Sequence, residues 1–118
     1  MSKIFGDKLR QLREACGLSQ QELARRLGYA SNSYVGDVEN GLFVPSEERL
    51  AALSRALGTQ AGVLQESAFE SKLAELGITE PAFVGMFKDY PKLSPRDKRA
   101  ILAAYREVQH RRDATRRR

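Results

Sequence analysis

The sequence contains only one cysteine and one histidine among its 118 residues. A single cysteine excludes a framework of disulfide bonds. The histidine, His110, lies in a basic C-terminal stretch, and no group of cysteine, histidine and acidic residues has the spacing of a metal site. No glycine-rich phosphate loop follows a strand, and nothing in the chain predicts a shielded pocket for a nucleophile and its base. We therefore expect no catalytic residue, no metal and no cofactor.

Long apolar runs are also absent. No stretch of about 18 apolar residues is present to span a bilayer, and the N-terminus, MSKIFGDKLR, lacks the apolar segment of a signal peptide. We therefore expect a cytoplasmic protein without membrane contact. The composition, 42% hydrophobic and 30% charged, is that of a globular chain. Cys16 follows Leu12 by four positions on an apolar helical face, so we expect its side chain in the core.

The basic excess of the chain is confined to its second half. The net charge is +5, but residues 1–66 hold eight basic and eight acidic residues, whereas residues 67–118 hold twelve and seven. Much of the excess lies in a basic tail, residues 110–118, which reads HRRDATRRR. These cations suit the negative end of a helix dipole. The tail could also contact phosphates or an acidic partner, or it could be a solvated terminus.

The hydrophobic spacing predicts an all-α protein whose first 66 residues form a five-helix domain. Capping residues and glycines set the expected ends, and Ser19 with Glu22 has the pattern of a capping box. No strand, internal repeat or Gly/Ser-rich linker is evident. The predicted helices are Phe5 to Cys16, Ser19 to Leu27, a third that begins near Ser31 or Asn32 and stops at the Asn40-Gly41 pair, Ser46 to Leu57, and a short one ending near Leu64.

Residues 67–118 are predicted to form a helical C-terminal region of three more helices. Their apolar residues recur at helical spacing and are more typical of a core than of a ligand pocket. Three short helices cannot bury so many apolar residues unaided, so we expect a second copy of the chain to share this core in a homodimer. The residues predicted for dimerisation are Phe69, Leu73, Phe83, Phe87, Ile101 and Tyr105.

The stretch LSQQELARRLGYASNSYVGDVENG, Leu18 to Gly41, predicts two short helices joined by a tight turn that contains glycine. This arrangement is the helix-turn-helix, whose first helix supports the second in the DNA major groove. Residues 5–66 resemble the Cro/C1-type, or xenobiotic-response-element, family of phage-repressor-like DNA-binding domains. The matching positions are Ser19, Gln20, Glu22, Leu23, Ala24, Leu27, Gly28, Ser33, Tyr34, Asp37, Glu39, Asn40, Gly41, Pro45 and Ser46.

The resemblance implies that double-stranded DNA is the partner and assigns roles to particular residues. The positions that match base-contacting residues, with the glycine beside them, are Asn32, Ser33, Gly36 and Asp37. The positions expected to contact phosphates are Gln20, Asn40, Ser31, Tyr29, Arg10 and Arg25. Ser31 and Tyr29 could instead serve only the cap and the turn. The resemblance also implies a buried, structural ion pair between Arg13 and Glu39.

Two departures from the family pattern stand out. The segment between Gly28 and Glu39 is one residue longer than expected, which shifts the alignment of Asn32 by up to one position. The loop after Gly41 usually carries lysine or arginine, but here it reads Leu42, Phe43, Val44. These three residues form either a locally buried loop or a patch that binds a partner.

Two functions follow from these observations. The first is a sequence-specific transcriptional regulator, a dimeric repressor that reads the major groove with the helix starting near Ser31. The alternative is an antitoxin or other protein-interaction regulator. Its C-terminal half would bind a protein partner such as a toxin or a peptidase, and its DNA binding would serve autoregulation.

Overall fold

The computed structural model describes residues 3–116, and these residues contain seven α-helices, one 3-10 turn and no strand. The prediction of an all-α fold is confirmed. The 3-10 turn spans Tyr90–Lys92. The α-helices are α1, Ile4–Ala15; α2, Gln20–Arg26; α3, Ser33–Glu39; α4, Glu47–Leu57; α5, Ala61–Glu75; α6, Pro81–Asp89; and α7, Pro95–Arg116.

The chain divides into two compact units between Thr79 and Glu80. The first unit contains α1 to α5, and each of these helices contributes buried side chains to one hydrophobic core. Residue 66, where the sequence suggested a domain boundary, lies inside α5. The core residues are Phe5, Leu9, Leu18, Leu23, Ala24, Val35, Val38, Leu50, Leu53, Leu57, Leu64 and Ala68.

Helix α5 is one continuous helix, whereas the apolar spacing suggested a short helix ending near Leu64 and a separate one from Phe69. No glycine or proline interrupts the segment after Gly62. Its buried face continues through small residues, Ala68 and Ser71, which apolar spacing does not register. The buried hydroxyl of Ser71 accepts a hydrogen bond from the backbone N–H of Phe5 at 2.7 Å, and this bond joins α5 to the start of α1.

Helices α1 and α3 approach each other so closely that their crossing requires glycine. A Cβ atom added to Gly6 would lie 2.5 Å from the carbonyl oxygen of Glu39 and 2.7 Å from that of Val38. Such distances are shorter than any real Cβ contact, so Gly6 allows the N-terminal turn of α1 to touch the last turn of α3. The position of α3 therefore depends on this close backbone contact.

The placement predicted for Cys16 was wrong, because its side chain is exposed. Cys16 is the residue that caps the C-terminus of α1, where the chain turns away from the core. Its sulfur lies 3.4 Å from the carbonyl oxygen of Leu57, at the end of α4. Helical spacing alone placed it on the apolar face, but the helix has already ended at Ala15.

The second unit contains α6, the 3-10 turn and α7. Helix α7 begins as predicted, with the hydroxyl of Ser94 accepting a hydrogen bond from the backbone N–H of Asp97 at 3.1 Å. Pro91 lies within the 3-10 turn. The rings of Phe83 and Phe87 meet edge to face, with centroids 5.0 Å apart. No described residue of these three elements is buried.

Within the described part of the chain, every helix is too short or too polar to cross a membrane. The last two arginines of the basic tail, Arg117 and Arg118, lie outside the described residues.

Candidate nucleic-acid interface

Helix α2 is fixed at both ends by local chemistry. The hydroxyl of Ser19 accepts a hydrogen bond from the backbone N–H of Glu22 at 3.0 Å, and the Glu22 carboxylate accepts one from the N–H of Ser19 at 3.2 Å. The predicted capping box is therefore present. Gly28 ends the helix with a φ angle of 85°, a conformation that glycine adopts without steric cost. The chain then turns into the segment that precedes α3.

Helix α3 begins at Ser33, two residues after the predicted start near Ser31. The hydroxyl of Ser31 closes the start of the helix, because it accepts from the backbone N–H of Ser33 at 3.4 Å and donates to the Ser33 hydroxyl at 3.2 Å. Asn32 occupies the cap position, but its side chain makes no capping bond. Its amide nitrogen instead donates to the side-chain oxygen of Gln20 at 3.4 Å.

The two faces of α3 differ in burial. Val35, Val38 and Glu39 are buried against the rest of the unit. The opposite face carries Asn32, Ser33 and Asn40, which are exposed, and Gly36 and Asp37, which are half-buried. These exposed positions follow helical spacing and therefore share one face. The structure thus brings all four predicted base-contacting residues together on the outer side of α3.

The carboxylate of Glu39 is the centre of a polar network that joins three helices. It accepts hydrogen bonds from Arg13 at 2.7 Å and 3.0 Å, from Nε of Arg10 at 3.2 Å and from Nε2 of Gln20 at 3.2 Å. The remaining guanidinium nitrogen of Arg13 donates to the carbonyl oxygen of Leu18 at 2.8 Å. Arg13 and Glu39, which the resemblance pairs, thus form a bidentate ion pair that ties α1 and α2 to the last turn of α3.

These contacts decide the ionisation of Glu39. Burial by itself would raise the pKa of this carboxyl, but the hydrogen bonds from Arg13, Gln20 and Arg10 outweigh the burial and lower the pKa. The same ion pair raises the pKa of Arg13, chiefly through its hydrogen bond to Glu39. The network is therefore charged on both sides, and each charge has a partner.

An aromatic cluster braces the turn before α3, and no pattern in the sequence predicted it. Tyr34 lies between Tyr29 and Phe43, with ring centroids 5.1 Å and 5.6 Å away. The guanidinium of Arg49 lies over the rings of Tyr29 and Tyr34, and its Nη1 donates to the Tyr29 hydroxyl at 2.7 Å. The three aromatic residues follow no helical period. The turn before α3 and the loop after it bring the three rings together, and α4 contributes Arg49.

The predicted phosphate-contacting cations have different surroundings. The side chain of Arg10 is 46% exposed, but its Nε lies 3.2 Å from the carboxylate of Glu39, which also binds Arg13. Arg25, in the last turn of α2, is exposed and its side chain has no partner among residues 3–116. The neighbouring Arg26 donates to the carbonyl oxygen of Ala56 at 2.9 Å and so fastens α2 to α4. Of these three arginines, Arg25 alone is uncommitted within the described chain.

The loop after Gly41 is divided between the core and the surface. Val44 packs against the core cluster, whereas the side chains of Leu42 and Phe43 are 50% and 41% exposed. The interpretation as a locally buried loop therefore holds only for Val44. Val44 is the locally buried part, and Leu42 and Phe43 form an exposed apolar pair beside α3.

The residues predicted for dimerisation lie in both units. Leu73 is buried inside the first unit, so its side chain has no surface to offer a second chain. Phe69 is exposed in the first unit, and Phe83 and Tyr105 are exposed in the second. Phe87 and Ile101 are half-buried.

Comparisons with known proteins agree with this geometry. Residues 4–67 match a family described as a helix-turn-helix domain. The chain is also 33% identical over 115 residues to an uncharacterized HTH-type transcriptional regulator of Mycobacterium tuberculosis strain H37Rv. The same identity is found with an uncharacterized HTH-type transcriptional regulator of strain CDC 1551. In both cases the match covers 94% of this chain and 76% of the relative.

Proposed function

We propose that this chain, which belongs to the helix-turn-helix family of transcriptional regulators, is a sequence-specific, cytoplasmic repressor that binds operator DNA as a dimer. In this proposal α3 enters the major groove and its outer face reads base edges. The observation that carries the proposal is that this face is polar and serves no packing role, while the opposite face is locked in place through Glu39.

The chemistry of the outer face suits direct readout. The amide of Asn32 can pair with the donor and acceptor of adenine, and the carboxylate of Asp37 can accept from the amino group of cytosine. Gly36 supports this role, because an added Cβ would meet its nearest neighbour, Oε1 of Gln20, at an ordinary 3.6 Å. Packing does not require glycine there, and glycine disfavours a helix by about 1 kcal/mol relative to alanine. A missing side chain allows close approach of a base pair.

Phosphate contacts would flank this face. We assign them to Gln20, Asn40, Arg10 and Arg25, which lie around the reading face or at the end of α2. Tyr29 can join them, because its hydroxyl oxygen accepts from Arg49 and its hydrogen remains available for a phosphate. Ser31 is better suited to capping, because its hydroxyl is already engaged on both sides with Ser33.

Dimer formation is supported by the second unit. Its helices have no buried residue among those described, yet Phe83, Leu102, Tyr105 and Val108 expose large apolar side chains. A unit of this size without a core is not stable on its own, and a second copy would cover the apolar residues. Two joined subunits would also place two α3 helices on the half-sites of a palindromic operator.

The test is a fluorescence-anisotropy titration against a duplex selected from a random pool by the wild-type protein and against a scrambled duplex. We expect a preference of about 10³ or more for the selected duplex. Asn32→Ala should weaken binding to that duplex roughly 5- to 150-fold and leave the scrambled duplex unaffected, because the variant removes the amide that pairs with a base.

Two further variants separate the roles in the same titration. Asn40→Ala should weaken binding to both duplexes equally, because a phosphate contact carries no sequence information. Gln20→Ala should also weaken binding, whereas its exposed neighbour Gln21→Ala is the matched control and should not. If the wild-type protein bound both duplexes equally, the proposed function would be wrong.

A regulator with a protein partner, such as a toxin or a peptidase, is the second candidate, and the exposed pair Leu42 and Phe43 favours it. Leu42→Ser is the cleaner probe, because Phe43 also packs on Tyr34. On this second hypothesis Leu42→Ser keeps full operator affinity in the titration but alters expression of a reporter gene in cells. Unchanged expression would count against a partner at this loop.

A further inference from the structure

The two units of the chain carry very different charge. Residues 1–79, which include the helix-turn-helix, hold nine basic and ten acidic residues, and residues 80–118 hold eleven and five. The net charge is therefore −1 for the first unit and +6 for the second. A DNA-binding surface draws most of its sequence-independent affinity from cations near phosphates. The first unit has no excess of cations that could provide this sequence-independent affinity.

Several cations of the first unit are also committed to structure. Arg13 is buried against Glu39, Arg10 shares the same carboxylate, and Arg26 is bonded to Ala56. The carboxylate of Asp37 lies on the reading face itself and repels phosphates. The outer face of α3 thus has side chains that can distinguish bases, but few free cations lie near it to attract phosphates.

The C-terminal half of α7 has the opposite character. Arg106, Arg111, Arg112 and Arg116 are exposed, and none of them forms an ion pair within residues 3–116. Asp113 is the only acidic residue from position 108 onward. With a rise of 1.5 Å per residue, the segment from Arg106 to Arg116 is ~15 Å long, and a duplex of that length carries about nine phosphate charges.

We propose that the C-terminal half of α7, from Arg106 to Arg116, is a second contact surface that binds the phosphates of duplex DNA without regard to sequence. This inference rests on the proposed function, because DNA held by α3 is tethered to α7 through the same chain. Tethering raises the local concentration of phosphates, so that weak individual contacts become effective.

The distribution of charge on α7 favours DNA over a membrane surface. A helix that lies on a membrane separates its cations from its apolar residues. Here Arg112 follows Tyr105 and Val108 at seven and four positions, so the three side chains share a face. The four arginines are distributed around the helix rather than along one side. A surface of this kind suits a polyanion that presents charge from several directions.

The experiment compares two double variants of the full-length protein. Arg106→Gln/Arg111→Gln removes two exposed cations of the proposed surface that lie outside the apolar stripe of Ile101, Tyr105 and Val108. Arg55→Gln/Lys72→Gln removes two exposed cations from α4 and α5 and is the matched control. Affinity for the selected duplex and for the scrambled duplex is measured at several salt concentrations, and the slope of log K against log salt is determined for each protein.

We expect the α7 variant to reduce the magnitude of the slope by about 0.9 for each phosphate that is no longer neutralised, on both duplexes, while the ratio of the two affinities is unchanged. The control should keep the wild-type slope. A third variant, Arg106→Lys/Arg111→Lys, should also keep it, since the charge remains. Circular dichroism and sedimentation of all variants check that helix content and assembly are unaltered.

The outcomes separate this inference from the function on which it rests. A wild-type slope in the Arg106→Gln/Arg111→Gln variant would overturn the proposal, and operator preference would then still stand. An unchanged slope together with loss of binding to vesicles that contain phosphatidylserine would assign these arginines to a membrane surface and would also overturn it. If the wild type showed no operator preference but the slope fell as expected, the repressor proposal would fail and the phosphate contact would remain.

Discussion

At residue 39 four hydrogen bonds converge on a carboxylate that is fully shielded from water. This carboxylate holds Arg13 of α1 and Gln20 of α2 against the last turn of α3. Removing one partner of a buried ion pair leaves the other charge without compensation, and that cost exceeds what the pair contributes as a whole. The residue thus matters for the position of α3 as well as for stability.

We predict that Glu39→Gln lowers the free energy of unfolding by about 3 kcal/mol at neutral pH, because the buried Arg13 loses its counter-charge. Urea denaturation measures the change. Glu14→Gln is the control, since Glu14 lies 3.8 Å from Arg13 but its side chain is 62% exposed. Its effect should stay within about 0.5 kcal/mol. Equal effects of the two variants would contradict the role assigned to Glu39.

The same variant has an expected pH dependence. The pKa of Glu39 is lowered in the folded protein, so its contribution to stability is fully present above the ordinary value of 4.5. The contribution is lost as pH falls from there through the lower folded pKa. The difference in unfolding free energy between wild type and Glu39→Gln should therefore shrink below pH 4.5. A difference that stayed constant down to acid pH would show that the charge is not what stabilises the site.

At the scale of helices, the crossing of α1 and α3 and the small residues of α5 determine how the first unit packs. The packing of α1 and α5 was only partly evident from apolar spacing, because Gly6, Ala68 and Ser71 carry little or no apolar bulk. Their function is to let helix backbones come close together. Ser71 adds a buried hydrogen bond to Phe5 that an apolar residue could not supply.

We predict that Gly6→Ala destabilises the protein by about 1–3 kcal/mol, because the new methyl group would overlap backbone atoms of α3 that cannot move independently. Gly62→Ala in α5 is the control. A Cβ at Gly62 meets nothing within 4 Å, so alanine should be neutral or stabilise the helix by up to about 1 kcal/mol. Thermal unfolding of both variants measures the effects, and a neutral Gly6→Ala would show that α1 and α3 are less tightly apposed.

At the scale of the whole molecule, a compact first unit with a core is joined to a second unit whose described helices bury nothing. The packed core accounts for the stability of the first unit. The second unit has no such core among its described residues, and this is why we propose that two chains pair through the second unit.

We predict that Ile101→Ser/Tyr105→Ser shifts the protein from dimer to monomer in sedimentation equilibrium. Operator binding should also weaken, because the two subunits that bind the two half-sites are no longer joined. Ala100→Ser/Ala103→Ser changes two exposed residues outside the apolar stripe and should leave the dimer intact. A wild-type protein that is monomeric at every concentration would contradict the proposed assembly.

The sequence by itself determined most of the helices and most of their ends, because a capping box, terminal glycines and apolar spacing are local signals. It also indicated the helix-turn-helix, since that motif is a run of such local signals at characteristic distances. It placed the start of α3 near Ser31 or Asn32, one or two residues before the observed start at Ser33, where the hydroxyl of Ser31 accepts a hydrogen bond from the backbone N–H of Ser33.

Tertiary packing also decided the contacts that join residues distant in sequence. The meeting of Tyr29, Tyr34, Phe43 and Arg49 and the approach of Gly6 to Glu39 both follow from how helices pack. Such contacts depend on shape and distance in three dimensions, and no periodicity of the chain encodes them. The position of the outer face of α3 is therefore a property of the folded first unit, whereas the residue types on that face are given directly by the sequence.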